Sequence, residues 1–266
     1  VKNAEENRKL FKDLYIEKSE YFKEQGQYPT IFITLKDTKK NNWEECYSKI
    51  KIILRDLYEE HSYIKDKLSI NEKEEYDKIL FKKDDAEYDN ALLNLTKYLY
   101  NYYQKKVVLL IDEYDSPLIT ANQFGYYKEA INFFRDFLSS ALKTNSNLKM
   151  GVLTGIVQVA KEGIFSGLNN VKTYNILGDK FEIFFGLSEE EVEEALKYFE
   201  MTYEIEEVKR WYDGYKFGNS EVYNPWSIVN YLSDRGLQAY WVNTSDNALI
   251  YDNLKNSTVD VFNNLQ

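Results

Sequence analysis

Cysteine occurs once in this 266-residue sequence, at Cys46, and histidine once, at His61. A single thiol excludes an internal disulfide and any multi-cysteine metal site, and it fits an intracellular, cytoplasmic protein. No apolar run approaches the ~20 residues of a membrane helix, the longest being Val-Val-Leu-Leu-Ile at 107–111. The opening VKNAEENRKLFKDLY is too charged to be the apolar centre of a signal peptide. Basic residues are outnumbered, with 34 Lys and Arg against 44 Asp and Glu, for a net charge of −10. That balance argues against a general nucleic-acid-binding surface and serves solubility.

What is present is an alternation of strand and helix patterns. YPTIFITLKD (Tyr28 to Asp37) is apolar on successive residues, as a strand buried on both faces would be. Asn42 can then cap a helix, with Glu45 at capping-box spacing and Trp43, Tyr47, Ile50, Leu54 and Leu57 along one face. Residues 60–86 are the most polar stretch and read as surface insertions, with His61 exposed. A helix bearing Leu92, Leu95, Leu99 and Tyr102 on one side leads into KVVLLID, and a second with Ala130, Phe133, Phe134, Phe137 and Ala141 leads into LKMGVLTG. KFEIFF (Lys180 to Phe185) is expected to be a fourth strand. After it Ser188 and Glu191 form another capping-box pattern, with Val192, Ala195, Leu196 and Phe199 facing inward.

This order predicts an α/β fold with a parallel sheet. From about Glu204 short helices and turns carry Trp211, Trp226 and Trp241, which suggests a domain over 1–203 and a small, aromatic-cored, mainly helical subdomain over 204–266. Trp211, Tyr212, Tyr215, Phe217 and Trp226 are read as core residues in preference to a base-stacking platform.

The chemistry concentrates in LLIDEYDSPL, where Asp112, Glu113 and Asp115 follow a five-residue apolar run. In a parallel sheet, ligands bind beyond the carboxyl ends of the strands, and that is where Asp112 and Glu113 fall. Two adjacent carboxylates there would repel each other and resist burial, so a cation is their natural partner. An apolar strand ending in Asp-Glu is the Walker B arrangement, in which the Asp orients Mg²⁺ and the Glu positions or deprotonates a water. Asp115, followed by Ser-Pro, reads instead as the start of a turn. Thr154, at the end of LKMGVLTG, can contact the attacking water or the terminal phosphate, or can simply satisfy the strand's last backbone group.

VVLLIDEYDSPL, LTGIVQVAKEGIFSGLNN, FFGLSEEEVEEAL, WYDGYKFG, VYNPWSI and YWVNTSDN together resemble the bacterial AAA-ATPase-like family, over essentially the whole chain. The resemblance implies a P-loop, AAA+-like ATPase domain that often carries a C-terminal PD-(D/E)XK nuclease domain. It implies ATP and Mg²⁺ as cofactors, with Asp112 as the metal-side and nucleotide-side Walker B residue, Glu113 as the catalytic base and Thr154 as the sensor. Nucleotide is then the partner, nucleic acid is reached through the nuclease domain, and a homo-oligomer is compatible. The sequence departs from the family at Gln158, where arginine is common.

Family members begin with a strand and a loop ending in GK[ST]. Here the 11 glycines are scattered and no Gly-Lys dipeptide occurs. The expectation is a fragment that lacks the first strand, its phosphate loop and the nuclease, with hydrolysis confined to the full-length protein. A degenerate fold used as a binding or scaffold module is the alternative. A helicase DExD reading would place Ser-Ala-Thr where LTGI stands, and a metal-only nuclease would need a second ligand cluster.

Overall fold

The computed structural model describes residues 4–156, 171–201 and 205–242, and the chain divides into two compact units, Val1–Val171 and Lys172–Gln266. In the first unit α1 (Ala4–Arg8) precedes β1 (Thr30–Thr34), α2 (Trp43–Glu60), α3 (Ile70–Leu80) and α4 (Ala91–Tyr103). There follow β2 (Val107–Asp112), α5 (Ser116–Phe124), α6 (Tyr127–Leu142) and β3 (Leu148–Leu153). The three strands form a parallel sheet in the order β1-β2-β3, so the acidic strand is central.

One face of this sheet is a core face. Ile31 and Ile33 of β1 and Val107, Leu109 and Ile111 of β2 are buried against Ile50 and Leu54 of α2, Leu95 and Leu99 of α4, and Phe134 and Phe137 of α6. The expectation that β1 is buried on both faces does not hold. Its exposure alternates, and Phe32, Met150 and Val152 on the opposite face are 56%, 54% and 38% exposed. Period-two alternation turns Ile31 and Ile33 to one side and Phe32 to the other, and the buried helix faces meet the former.

The helix patterns came out largely as read. Asn42 accepts a hydrogen bond from the Glu45 amide at 2.9 Å and so caps α2. Leu92, Leu95 and Leu99 are fully buried, but Tyr102, expected beside them, lies 40% exposed. Residues 60–86 are not merely a surface insertion. Ile64, Tyr76 and Ile79 enter the main core, the Tyr76 hydroxyl donates to the Tyr58 carbonyl, and the Tyr58 hydroxyl donates to the Ala91 carbonyl at 2.8 Å. His61 is 7% exposed rather than solvated, because the polar segment folds back over α2 and α4.

The second unit holds α7 (Glu189–Tyr198), α8 (Ile205–Tyr212), a hairpin of β4 (Asp213–Phe217) and β5 (Ser220–Tyr223), and α9 (Pro225–Asp234). Ser188 and Glu191 form the complete reciprocal capping box of α7. Val192 and Leu196 pack with Val208, Tyr212, Tyr223, Ile228 and Tyr231, while Phe199, expected to face inward, is 41% exposed. The change of sequence texture near residue 204 lies inside this unit.

The expected fourth strand is absent. Phe181 has φ 71° and Glu182–Phe184 forms a 3₁₀ turn. The hairpin holds this segment in place: the Asn219 amide donates to the Glu182 carboxylate at 2.7 Å and the Gly218 amide to the Ile176 carbonyl at 2.8 Å. A short apolar run does not by itself distinguish strand from turn. The late aromatics also divide, since Tyr212 is core but Trp211, Tyr215 and Trp226 are 41%, 46% and 59% exposed.

Candidate functional site

Parallel register brings the ends of the three strands together. Thr34 of β1 pairs with Asp112 of β2, and Ile111 pairs with Leu153, one residue before Thr154. The Asp112 carboxylate lies between two hydroxyls. Thr154 Oγ1 donates to Asp112 Oδ1 at 2.6 Å and Thr34 Oγ1 donates to Oδ2 at 3.3 Å. Backbone bonds lock the same three ends: the Leu35 amide donates to the Asp112 carbonyl at 3.0 Å, and the Tyr114 amide to the Thr154 carbonyl at 3.0 Å. Asp112 is therefore fixed on a short, doubly paired strand end, a rigid place for a functional carboxylate.

Glu113 leaves the strand through a left-handed conformation, φ 51°. That region costs a non-glycine residue of order 1–3 kcal/mol, and such residues cluster at functional sites. The turn sends the Glu113 side chain away from Asp112. Its Oε2 accepts from Ser116 Oγ at 2.7 Å and lies 3.9 Å from Lys39 Nζ. Lys39 is itself placed by an ordered loop, where buried Thr38 donates to the Leu35 carbonyl at 2.6 Å and Tyr126 donates to the Lys40 carbonyl at 2.7 Å. Burial pushes the Tyr126 phenol up to about 12, so it remains a proton donor in that bond. The Lys39 pair is more than half exposed on the lysine side and orients Glu113 more than it stabilises the fold.

Asp115 does open a turn, its carbonyl accepting from the Leu118 and Ile119 amides at 3.0 Å, but its side chain has a further role. It stands at the N-cap position of α5, but its side chain does not cap that helix. The residue is 1% exposed, and its Oδ2 accepts from the Ile156 amide at 2.8 Å. The third carboxylate thus ties the end of β3 to the start of α5. Gly155 makes the approach possible, since a Cβ there would lie 2.6 Å from Asp115 Oδ1 and 2.8 Å from Tyr114 Cε1.

The structure brings Asp112 and Thr154 into direct contact and leaves Glu113 beside them, turned toward Ser116 and Lys39. Gln158 lies outside the described residues. Thr34, Lys39 and Ser116 were not anticipated. Thr34 carried one signal, being the last residue of a strand that runs parallel to the acidic one, whereas Lys39 in TLKDTKK had none. Among the described residues no group of three or more His, Cys, Asp or Glu side chains is arranged to hold a metal. One carboxylate flanked by hydroxyls is an all-oxygen donor set that suits an ion taking its remaining ligands from water and phosphate, as Mg²⁺ does.

A parallel α/β sheet whose central strand ends in Asp-Glu, with a threonine at the end of each neighbour, defines the class of the protein. The chain belongs to the family described as Predicted AAA-ATPase, whose model matches residues 1–165. It is 25% identical over 149 residues to a protein of Azotobacter chroococcum mcd 1 described as "Uncharacterized protein in vnfD 5'region", an alignment covering 56% of this chain and 29% of that protein. No solved structure matches it. Among the described residues no helix is long and apolar enough to cross a membrane.

Proposed function

We propose that this chain is the core of an ATPase domain whose full-length protein binds ATP and hydrolyses it with Mg²⁺. The observation that carries the reading is the Asp112 carboxylate held between Thr34 and Thr154 at the ends of three parallel strands, with Glu113 next in sequence. Asp112 would hold the ion accompanying the nucleotide. The ion would neutralise developing charge on the phosphate oxygens. Glu113 would orient the attacking water and take its proton, with Ser116 and Lys39 setting the direction of its carboxylate. Thr154 would stand beside the terminal phosphate while holding Asp112.

The test is hydrolysis by the full-length protein, expected to be Mg²⁺-dependent and abolished by Glu113→Gln. Absence of nucleotide hydrolysis, or a mutant with full activity, sinks the assignment. Coupling to nucleic-acid processing through a nuclease domain is part of the same proposal, and DNA-stimulated hydrolysis checks it.

A second reading, a fold of this type retained as a binding or scaffold module, is favoured by one observation: the sequence contains no Gly-Lys dipeptide from which a phosphate loop could be built. Nucleotide binding by the full-length protein separates the two.

A further inference from the structure

Away from the strand ends, the first unit contains an aromatic cleft with acidic walls. A cavity of about 220 Å³ opens between α2, the turn at Tyr88–Asn90 and α6, lined by Tyr47, Tyr88, Phe133, Asp89, Asn132 and Asp136. Its rings form a connected set. Tyr47 meets Tyr88 edge-on at 5.8 Å and Phe133 edge-on at 5.4 Å, and Trp43 stacks behind Tyr47 at 5.3 Å.

Two observations indicate which ligand charge this cleft favours. The first is an internal cation already bound to the same rings: Lys51 Nζ lies 4.9 Å from the Tyr47 centroid and 5.0 Å from that of Tyr88, and pairs with Asp84 at 3.1 Å. Aromatic faces attract cations in this way. The second is Asp89. It is partly buried on the wall, and among the described residues its carboxylate forms no ion pair and no side-chain hydrogen bond. Its field reaches the cleft, since the Tyr47 phenol is raised first by burial and next by the Asp89 and Asp84 charges. Asp136 is exposed and, among the described residues, pairs only with the neighbouring Arg135, at 3.4 Å.

We propose that this cleft binds the guanidinium group of an arginine side chain carried by a partner polypeptide. Guanidinium is planar, weakly hydrated and able to stack on a ring while its edge donates to a carboxylate, whereas a lysine ammonium is a compact, strongly hydrated point charge. Tyr47, Tyr88 and Phe133 supply the rings on the cavity wall, and Asp89 and Asp136 the carboxylate acceptors beside them. The chain's net charge of −10 favours a basic partner. This site is independent of the nucleotide reading and is tested without nucleotide.

The experiment is an NMR titration of the ¹⁵N-labelled chain with N-acetyl-arginine methylamide, and with the lysine and the uncharged citrulline analogues. Saturable shifts at the Tyr47, Asp89 and Phe133 amides are expected with the arginine compound, weaker by threefold or more with lysine and by tenfold or more with citrulline. Asp89→Asn should weaken arginine binding at least fivefold, with a melting temperature close to that of the parent. Should that variant lose its fold, Asp136→Asn on the exposed rim replaces it, with at least a twofold loss expected. Citrulline binding as well as arginine, no saturable shift, or unchanged binding in the folded variant would overturn the proposal.

Discussion

Thr154 at the end of β3 donates a 2.6 Å hydrogen bond to Asp112 at the end of β2, 42 residues earlier in the chain. Strand register puts the two within reach, and the bond sets the carboxylate's rotamer. Thr34 completes the clamp from the other neighbour at 3.3 Å.

Removing that clamp should loosen a bound ion without unfolding the domain. In the full-length protein, Thr154→Val is expected to raise the Mg²⁺ concentration for half-maximal ATP hydrolysis by roughly tenfold, in the range found for residues that orient metal ligands. Thr34→Val, which removes the longer bond, should have the smaller effect. The check is a Mg²⁺ titration of the hydrolysis rate, and an unchanged midpoint in Thr154→Val would remove Asp112 from the metal role.

Gly155 is predicted to resist substitution. A methyl group there would come within 2.6 Å of the Asp115 carboxylate and 2.8 Å of Tyr114, and both of those side chains are buried. Gly155→Ala should cost about 1–3 kcal/mol by overpacking, read as a lower midpoint in urea unfolding. A midpoint equal to that of the parent would show that the end of β3 yields easily.

The single histidine gives an acid-sensitive stability. Burial lowers the His61 pKa in the folded chain, outweighing the opposing charge of Glu60. In the unfolded chain the imidazole titrates near ~6.5, so below that pH the unfolded state takes up a proton that the folded state resists. Stability from this group is thus complete above ~6.5 and falls as pH drops toward the lowered folded value. Urea unfolding at pH 7.5, 6.0 and 5.0 should show a steeper loss in the parent than in His61→Gln. Parallel curves would mean that the folded imidazole is free to protonate.

Cys46 should be inert while the protein is folded. Burial drives its thiol up to about 11, against smaller lowering effects of the Tyr126 hydroxyl and Lys40. Only the thiolate is a nucleophile, so labelling by a disulfide reagent at pH 8 should follow unfolding, slow in buffer and fast in urea. Rapid labelling in buffer would show that α2 opens locally.

Much of the framework was legible because it depends on neighbours in sequence. The caps at Asn42 and Ser188 bond to amides three residues away, and the buried sets Ile50, Leu54, Leu57 and Leu92, Leu95, Leu99 follow helical spacing on one helix each. The misread positions depend on distant contacts. His61 and Tyr76 are buried because a polar segment folds onto α2. KFEIFF turns because the hairpin holds Glu182 through Asn219, 37 residues later.

By itself the sequence determined the α/β class, the N-terminal caps of α2 and α7 and the placing of Asp112 and Glu113 at the end of an apolar strand, since propensity, capping and periodicity act over a few residues. Only the tertiary structure decided which groups those carboxylates meet. Thr34, Thr154 and Lys39 reach them through strand register and loop packing, with Thr34 lying 78 residues from Asp112, and no local pattern encodes a contact between chain segments that far apart.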